Sequence, residues 1–379
     1  MVKTDTKAMG IIFPNSFDSL VSKMVELRLM GSLPFASRYR MIDFVLSSMS
    51  NSGVDNVAIL PNKNYLSLMD HLGTGREWDL ARKNGGVQIF PPFAENGGKL
   101  ADGRIVSIAN ILRHLKAQKE KYVVMCDSNI AVNFDFNAMI EEHVKNGADV
   151  TIAYNVQALP ESFLNSEDVN KDYYYSFDIE EGRVTEINVN PTEGVHNLSM
   201  NIFVIERELL IKLVKDAFDH GLTHFTRDIL WAKRNELNLQ AYKYDGYVAR
   251  ICSINSYFDE NMKLLNDDNL DALFGAAPVF TKIRDDNPTR YIAGAKAVNT
   301  MAADGCVIEG EVENSILFRG VKVGKGAKVK NCILMQDTVI EAGADIEYLI
   351  TDKDVTISAD KEFKGVATYP VYVVKGYTV

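Results

Sequence analysis

The feature that most constrains the fold is a repeat of seventeen residues near the end of the chain. Three copies align from residues 314, 331 and 348, and they read NSILFRGVKVGKGAKVK, NCILMQDTVIEAGADIE and YLITDKDVTIS. In each copy a pair of large apolar residues comes early and a second apolar pair lies near the middle. Because one copy cannot bury this face alone, the copies are expected to stack as coils around a shared core. The repeat therefore predicts a parallel β-helix, with an irregular β-sandwich as the weaker alternative.

Upstream of the repeat, short apolar runs alternate with segments whose apolar residues recur at helical spacing. The runs have strand length and lie at 9–13, 57–60, 121–126 and 149–154, and the helical patterns lie at 105–115 and 136–144. This alternation is typical of a parallel or mixed sheet with helices on both faces. The turn at Glu181 and Gly182 predicts a hairpin beside the sheet. Residues 255–273 are predicted to form one helix, and 275–292 a linker.

Length and composition exclude several classes of protein. A chain of 379 residues is long enough for two domains, and its net charge of −10 argues against general nucleic-acid binding. No apolar run approaches the roughly 18 residues of a membrane span. The four cysteines form no CxxC pair, and the N-terminal residues lack the layout of a signal peptide. These features favour a reduced, cytoplasmic setting without membrane contact.

The segment after the first predicted strand is where an α/β protein would hold a nucleotide. A phosphate group bound there needs a glycine-rich turn, because bare backbone N–H groups can then approach the anion closely. This segment has no glycine between Gly10 and Gly31, and Pro14 has no N–H to donate. The usual phosphate loop is therefore missing at the position where chemistry would need it.

Three stretches carry a resemblance to a known family. They are LPFASRYRMIDF (33–44), SNSGVDNVAIL (50–60) and HLGTGREWDLARKNGGVQIFPPF (71–93). They resemble the glucose-1-phosphate adenylyltransferases, also called ADP-glucose pyrophosphorylases, and above all the GlgD-type subunit, a degenerate paralogue of the catalytic subunit. The resemblance extends through the C-terminal repeats.

This resemblance implies an α/β fold in which a Rossmann-like nucleotidyltransferase domain with a mixed, mostly parallel sheet precedes a C-terminal left-handed parallel β-helix of hexapeptide-type repeats. The expected boundaries are 1–258 for the nucleotidyltransferase-like domain, 259–292 for a helix and linker, and 293–379 for the β-helix. The hexapeptide spacing of the repeat agrees with this expectation.

The resemblance also implies where the family's catalytic groups would lie, and most of these positions are altered here. The glycine-rich loop GGGxGTRL corresponds to FPNSFDSL, and the lysine of KPAxPFGG corresponds to Met30. The lysine of EKP, which binds the sugar phosphate, corresponds to Asn190. Of the two metal-binding aspartates, Asp127 survives after the central strand, whereas the second corresponds to Arg250. No catalytic set is intact.

The change at Arg250 bears most directly on metal binding. Two like charges about 4 Å apart repel by about 4 kcal/mol at an effective dielectric constant of 20, and a divalent ion doubles this. We therefore predict no bound metal and hypothesise that Arg250 pairs with Asp127 and fills the place of the metal; alternatively, both are solvated and never meet. His220 and His224 flank Gly221, so they are expected to frame a loop rather than a metal site.

Two further cations, Arg38 and Arg40, flank Tyr39 in a loop that the family uses near its effector site. One interpretation is that they bind a phosphorylated metabolite as an effector. The other, equally open at this point, is that they form a solvated surface cluster.

The function implied by the resemblance is the conversion of ATP and glucose 1-phosphate to ADP-glucose and diphosphate in glycogen biosynthesis. Because the site positions are altered, we expect this chain alone to be inactive or weakly active and to bind no cofactor. It would assemble with the catalytic subunit as a hetero-oligomer, a tetramer, and modulate that subunit, in which Mg²⁺ would be bound.

Other functions remain open. The main alternative is an active sugar-nucleotide transferase with a rebuilt site. A hexapeptide-repeat acyltransferase generally needs a histidine base in its β-helix, and the last histidine of this chain is His224, upstream of the repeats. A scaffold without metabolic partners, or a homo-oligomer formed by this chain alone, completes the alternatives.

Overall fold

The structure is a computed structural model, and it describes residues 7–92, 103–159, 174–191 and 194–379. Part of the tyrosine-rich region noted in the sequence, 160–173, lies outside the described residues. In the described part, no helix is both long enough and apolar enough to cross a membrane.

The N-terminal part alternates strands and helices as the sequence predicts. Its strands are β1 Ala8–Phe13, β2 Pro34–Phe35, β3 Tyr39–Arg40, β4 Asn56–Ile59, β5 Gly86–Ile89, β6 Tyr122–Asp127, β7 Ile130–Ala131, β8 Val150–Ala158, β9 Tyr175–Glu180, β10 Arg183–Val189, β11 Val195–Glu206, β12 Leu239–Lys243 and β13 Ala249–Arg250. Its α-helices are α1 Met41–Asn51, α2 Leu66–Leu72, α3 Arg104–Ala109, α4 Leu112–Ala117, α5 Phe136–Lys145, α6 Arg207–Asp219, α7 Ile254–Lys263 and α8 Asp267–Phe274. A π-helical segment spans Phe225–Trp231.

In the described residues nine of these strands form one mixed sheet, in the order β5-β4-β1-β6-β11-β8-β12-β10-β9, while β2 pairs with β3 and β7 with β13. Strands β5, β4, β1 and β6 pair in parallel, and β11 runs antiparallel to both of its neighbours, β6 and β8. The predicted hairpin is present as β9 and β10. The parallel strands end at one edge, and that edge is where the functional site is expected.

The central strands are buried along their whole length because helices cover both faces of the sheet. Ile11 of β1 packs in one apolar cluster with residues of α3, α4 and α6, whereas Ile12 packs in a second cluster with residues of α1 and α5. Gly10 lets α1 approach β1 closely, since a Cβ at this position would lie 2.6 Å from the sulfur of Met49. The continuous apolar run that marked this strand in the sequence reflects double coverage.

Two helical predictions differ from the structure in detail. The pattern at 105–115 forms two short helices, α3 and α4, rather than one. The predicted helix over 255–273 is likewise divided into α7 and α8. The second division has a local cause: the side chain of Asn266 accepts hydrogen bonds from the backbone N–H groups of Asp268 and Asn269, and so begins a new helix.

The C-terminal part is the predicted parallel β-helix, and its register follows the period of seventeen. Ile316, Ile333 and Ile350 stand beside one another on successive coils, as do Val323, Ile340 and Ile357. Its strands are β14 Arg290–Tyr291, β15 Lys296–Ala302, β16 Val307–Ile308, β17 Glu311–Leu317, β18 Lys322–Val323, β19 Lys328–Lys330, β20 Ile333–Leu334, β21 Val339–Ile340, β22 Asp345–Glu347, β23 Leu349–Thr351, β24 Thr356–Ile357, β25 Glu362–Lys364 and β26 Val371–Val373.

The β-helix packs on the loop that follows β1. Phe17 and Met30 of this loop belong to the same apolar cluster as Ile333 and Ile350 of the β-helix. Within this contact, Arg28 donates to both carboxylate oxygens of Asp352, at 2.7 and 2.8 Å, and both side chains are 5% exposed. Tyr372 adds a 2.6 Å hydrogen bond to the same carboxylate. A buried ion pair thus joins the loop to the β-helix.

Removing one partner of this pair should be costly. Asp352→Ala is expected to lower the free energy of unfolding by about 3 to 5 kcal/mol, because the Arg28 guanidinium would remain buried without its counterion. Chemical denaturation of the unsubstituted chain and of the Asp352→Ala variant measures the difference in the free energy of unfolding. As a control, Lys364→Gln breaks the exposed pair with Asp345 and should cost less than about 1 kcal/mol. Equal losses in the two variants would contradict the role assigned to the Arg28–Asp352 pair.

Candidate functional site

A cavity of about 310 Å³ lies beyond the carboxyl ends of β1 and β6. Its walls come from the loop after β1, the segment after β4, the start of α3, the start of β9 and the π-helical segment. Representative residues from these walls are Ser16, Phe17, Lys63, Arg104, Tyr175 and Phe225. This is the position at which open α/β sheets bind ligands.

Asp127, the last residue of β6, lies at the base of this region and is fully buried. Its carboxylate accepts a 2.7 Å hydrogen bond from Ser16 and pairs with the guanidinium of Arg104. Burial raises the pKa of Asp127, and Arg104, Ser16 and the side chain of Asn201 act in the opposite direction. The carboxylate is therefore already engaged by groups of this chain.

The backbone at Gly103 places Arg104 against Asp127. Gly103 has a φ of +96°, and a Cβ there would lie 2.4 Å from the carbonyl oxygen of Thr223. Arg104 begins α3, and its guanidinium carbon lies 5.6 Å from the ring centre of Phe13 and 5.7 Å from that of Phe203. Two aromatic faces and one carboxylate thus hold the cation in place.

The loop that replaces the phosphate loop satisfies its polar groups internally. The Asp18 carboxylate accepts from the backbone N–H of Met30 and from the amide of Asn15, both at 2.7 Å. Met30 itself is completely buried, so an apolar anchor stands at the position for which the resemblance implies a lysine. Phe17 has a φ of +66° and stacks on Tyr174 at 4.7 Å. The loop is built around side-chain contacts, not around free backbone N–H groups.

Asn190 closes the base of the β9–β10 hairpin. Its backbone N–H donates to the carbonyl of Tyr174 at 2.7 Å, and its side-chain oxygen accepts from the N–H of Tyr174 at 3.0 Å. The residue adopts a φ of +49°, which asparagine tolerates better than most residues. In these contacts Asn190 acts as a turn residue.

The structure contradicts the hypothesis that Arg250 pairs with Asp127. Arg250 is buried on β13, and it donates to the carbonyl of Ser199 at 3.1 Å and to the side-chain oxygen of Asn155 at 2.9 Å. Its guanidinium carbon lies 5.8 Å from the ring centre of Tyr174. Burial lowers the pKa of Arg250. Within the described residues it forms no ion pair, because polar acceptors lie nearer than Asp127, whose carboxylate is taken by Arg104.

Sequence reasoning missed Arg104. No family motif marks it, and its position after a glycine at the start of a helical pattern was the only available signal. The contact depends on the packing of α3 against the end of β6, which the local sequence does not reveal.

The two effector candidates, Arg38 and Arg40, lie where the N-terminal part meets the β-helix. Arg40 donates to the carbonyl and hydroxyl oxygens of Ser67, at 2.7 and 3.0 Å, while Arg38 is exposed above Tyr39. Burial, with smaller contributions from the charges of Arg28 and Arg319, lowers the pKa of Arg40 to about 10.

Lys353 of the β-helix belongs to the same group of charges. Burial, and then the charges of Arg40 and Arg28, lower the pKa of Lys353 to about 7. Its amino group makes no ion pair within the described ranges. We refer to Arg28, Arg38, Arg40, Arg319 and Lys353 together as the interdomain cation cluster. Only Arg28 among them has a buried carboxylate partner.

The arrangement does not fit the divalent metal ion that the resemblance implies. Asp127 is occupied by Arg104 and Ser16, and a guanidinium stands at the second metal position, Arg250. Among the residues that the structure describes, no group of three His, Cys, Asp or Glu side chains could hold a metal ion. We therefore derive no chemical step through a metal.

Comparison with known proteins gives a consistent result. A family model for nucleotidyl transferases matches residues 30–267, and one described as GlmU-like, C-terminal hexapeptide, matches 283–365. The glycogen biosynthesis protein GlgD of Geobacillus stearothermophilus is 35% identical over 327 residues, which cover 86% of this chain and 83% of the relative. GlgD of Bacillus subtilis (strain 168) is 32% identical with the same coverages. The glucose-1-phosphate adenylyltransferase of G. stearothermophilus is 31% identical over 304 residues, covering 79% of this chain and 76% of the relative.

The Arg104–Asp127 pair generates a pH-dependent prediction. Arg104→Gln should lower the free energy of unfolding by about 3 kcal/mol near neutral pH, because the buried carboxylate loses its counterion. Burial already raises the pKa of Asp127 in the folded chain above its value in the unfolded chain, and the variant lacks the guanidinium that opposes this shift. Folding of the variant therefore becomes less favourable as pH rises from the unfolded-state pKa to the folded-state pKa of Asp127. The deficit should therefore shrink on acidification.

Chemical denaturation at mildly acidic and neutral pH measures this effect. The double variant Arg104→Gln/Asp127→Asn removes both charges and should recover most of the lost stability at neutral pH. If the single and double variants are equally destabilised at every pH, the ion pair does not have the importance given to it here.

Proposed function

This chain belongs to the family of the glucose-1-phosphate adenylyltransferases and GlgD proteins, and from that premise we propose that it is a non-catalytic subunit in glycogen biosynthesis. In this proposal it assembles with the catalytic glucose-1-phosphate adenylyltransferase, which forms ADP-glucose and diphosphate from ATP and glucose 1-phosphate. The names of its relatives support the pathway, and the state of the site supports the division of roles.

The observation that carries the proposal is the ion pair between Arg104 and Asp127. Nucleotidyl transfer requires groups that position two polyanions, neutralise their charge and hold Mg²⁺ on carboxylates. The carboxylate of Asp127 is paired with Arg104 of the same chain. Met30, Asn190 and Arg250 likewise make their contacts within the fold. A chain with this arrangement is expected to be inactive or weakly active alone, with Mg²⁺ held by the catalytic partner.

Outside the site, the chain keeps the two regions that the family models match. Both the nucleotidyltransferase sheet and the β-helix are present, and a buried ion pair and a shared apolar cluster join them. Such a chain can form subunit contacts, and we propose a hetero-tetramer. It would alter the partner's activity only through contacts that differ between two states of that partner.

The interdomain cation cluster supports binding of a phosphorylated metabolite as effector. Arg38 is exposed and Lys353 lacks an ion-pair partner in the described part of the chain, so both are available to an anion. Burial and the nearby charges of Arg40 and Arg28, which lower the pKa of Lys353, make its positive charge unfavourable in this environment. An anion placed among these cations would relieve that cost.

The first test compares this chain alone, the catalytic subunit alone and their mixture. ADP-glucose synthesis should be absent or weak for this chain, and the mixture should show a kcat or effector affinity different from that of the catalytic subunit. Size-exclusion chromatography should show co-elution. In a control mixture the catalytic subunit is inactivated, so that any remaining turnover is due to this chain. Robust turnover in that control would favour an active enzyme with a rebuilt site.

The second test concerns the effector. Arg38→Gln in this chain should weaken the effector response of the mixture on the order of tenfold, because one charge-assisted contact is lost. The half-effective concentration of a phosphorylated effector is the measured quantity. Arg113→Gln, an exposed arginine of α4 outside the cluster, should leave it unchanged. Identical values for the two variants would argue that the cluster is only a solvated surface.

A further inference from the structure

We propose that the surface around Trp231 binds a neutral α-glucan chain, with the indole ring stacking on a sugar ring and an adjoining groove holding the sugar hydroxyls. The groove lies between the turn of the β9–β10 hairpin, residues 180–185, and residues 234–235, and we call it the hairpin groove. The choice of an α-glucan among neutral carbohydrates rests on the proposed function in glycogen biosynthesis. Binding of the polymer goes beyond that function, which concerns ADP-glucose.

The first argument is an aromatic ring that is fixed at the protein surface. Trp231 ends the π-helical segment and is 41% exposed, whereas the other tryptophan of the chain, Trp78, is fully buried. The indole N–H donates to the Glu186 carboxylate at 3.0 Å, and the guanidinium carbon of Arg234 lies 5.3 Å from the ring centre. Because both contacts hold the ring, little conformational entropy is lost when a ligand stacks on it.

The second argument is that Arg234 connects this ring with the hairpin groove. Its Nε donates to the Glu186 carboxylate at 3.0 Å, and its Nη1 donates to the carbonyl of Trp231 at 2.9 Å. Arg234 also lines the groove, so the indole and the groove adjoin. The groove has a volume of about 760 Å³, which lies within the range of small-molecule sites.

The third argument is the mixed charge of the groove. Two carboxylates, Glu180 and Glu181, and two guanidinium groups, Arg183 and Arg234, belong to the residues that line it. A phosphorylated ligand would meet the carboxylates, and a cationic ligand would meet the guanidinium groups. A sugar hydroxyl can instead donate to a carboxylate or accept from a guanidinium, because it is both a donor and an acceptor. The groove therefore favours a neutral ligand with many hydroxyl groups.

Two uncharged side chains of the groove suit the same ligand. Asn235 is exposed, and within the described residues its amide makes no hydrogen bond, so its donor and acceptor atoms are both available. The Thr185 hydroxyl donates to the carbonyl of Asp178 at 3.1 Å, which leaves its oxygen able to accept a further hydrogen bond. Neighbouring hydroxyls of one sugar ring could bind to these groups.

The first experiment uses the fluorescence of the full chain, because one of its two tryptophans is exposed and the other is buried. Acrylamide quenches mainly the exposed indole, so protection from quenching reports a ligand at Trp231. The probes are glycogen and maltoheptaose, a short α-1,4-glucan, with dextran and glucose 1-phosphate for contrast. We expect both α-glucans to lower the quenching, and the other two probes to leave it unchanged. Protection by glycogen alone would support the site and identify the polymer as the ligand.

Variants locate the effect by native electrophoresis in gels that contain glycogen, where a chain that binds the polymer migrates more slowly. Trp231→Ala should abolish the retardation, whereas Trp231→Phe should retain part of it, because a smaller aromatic ring still stacks. Asn235→Ala removes one hydrogen-bonding group from an exposed position and should weaken binding about fivefold. The matched control is Tyr369→Ala, which removes an exposed aromatic ring from the β-helix and should leave the retardation unchanged. An unaltered Tm shows that each variant is folded.

The proposal is overturned if neither α-glucan protects Trp231, if dextran protects it equally, or if a folded Trp231→Ala variant migrates like Tyr369→Ala in the glycogen gel. These measurements use this chain alone, so a negative result leaves assembly with the catalytic subunit to the mixing assay. Conversely, a failure to co-elute with the catalytic subunit would not alter the quenching result.

Discussion

A carboxylate buried at the end of a central strand needs a counterion, and this requirement governs the arrangement of the site. Asp127 ends β6 inside the sheet, where an uncompensated negative charge would be costly. Arg104 meets the requirement from within the chain. Because the neutralising charge is a covalent part of the protein, the folded state does not depend on a dissociable ion at this position. The same contact removes the carboxylate from the set of groups that could participate in metal-assisted transfer.

The fold and the charged groups of the site depend on different residues. The sheet is held by apolar strands covered on both faces, and the β-helix by aliphatic residues repeated on successive coils. None of these contacts requires a charged group at the cavity. Conversely, Met30 and Phe17 join an apolar cluster with the β-helix, so the altered loop itself contributes to the core. The segment that lacks the glycines of a phosphate loop thus supplies packing against the β-helix.

Regular patterns made most of the fold predictable from the sequence. A period of seventeen determines which residues stack on successive coils, and continuous apolar runs mark doubly covered strands. The loss of the phosphate loop could also be inferred, since glycine is absent. The partner of Asp127 could not be inferred from the sequence. Arg250 was the expected partner because it occupies a metal position, yet its guanidinium reaches Ser199 and Asn155, while Arg104 approaches from a helix start. Which of two arginines meets a carboxylate depends on tertiary geometry, which a local pattern does not contain.

The bond between Arg28 and Asp352 has a consequence for communication inside the molecule. Arg28 belongs to the same loop as Ser16 and Phe17, which form part of the cavity wall, whereas Asp352 is fixed in a stacked coil. A neighbouring protein that displaced this coil would displace the loop as well, and the shape of the cavity would change with it. The coils are therefore joined to the cavity wall by this ion pair and by the apolar cluster around it, so a protein bound to the coils would act on the wall through both contacts.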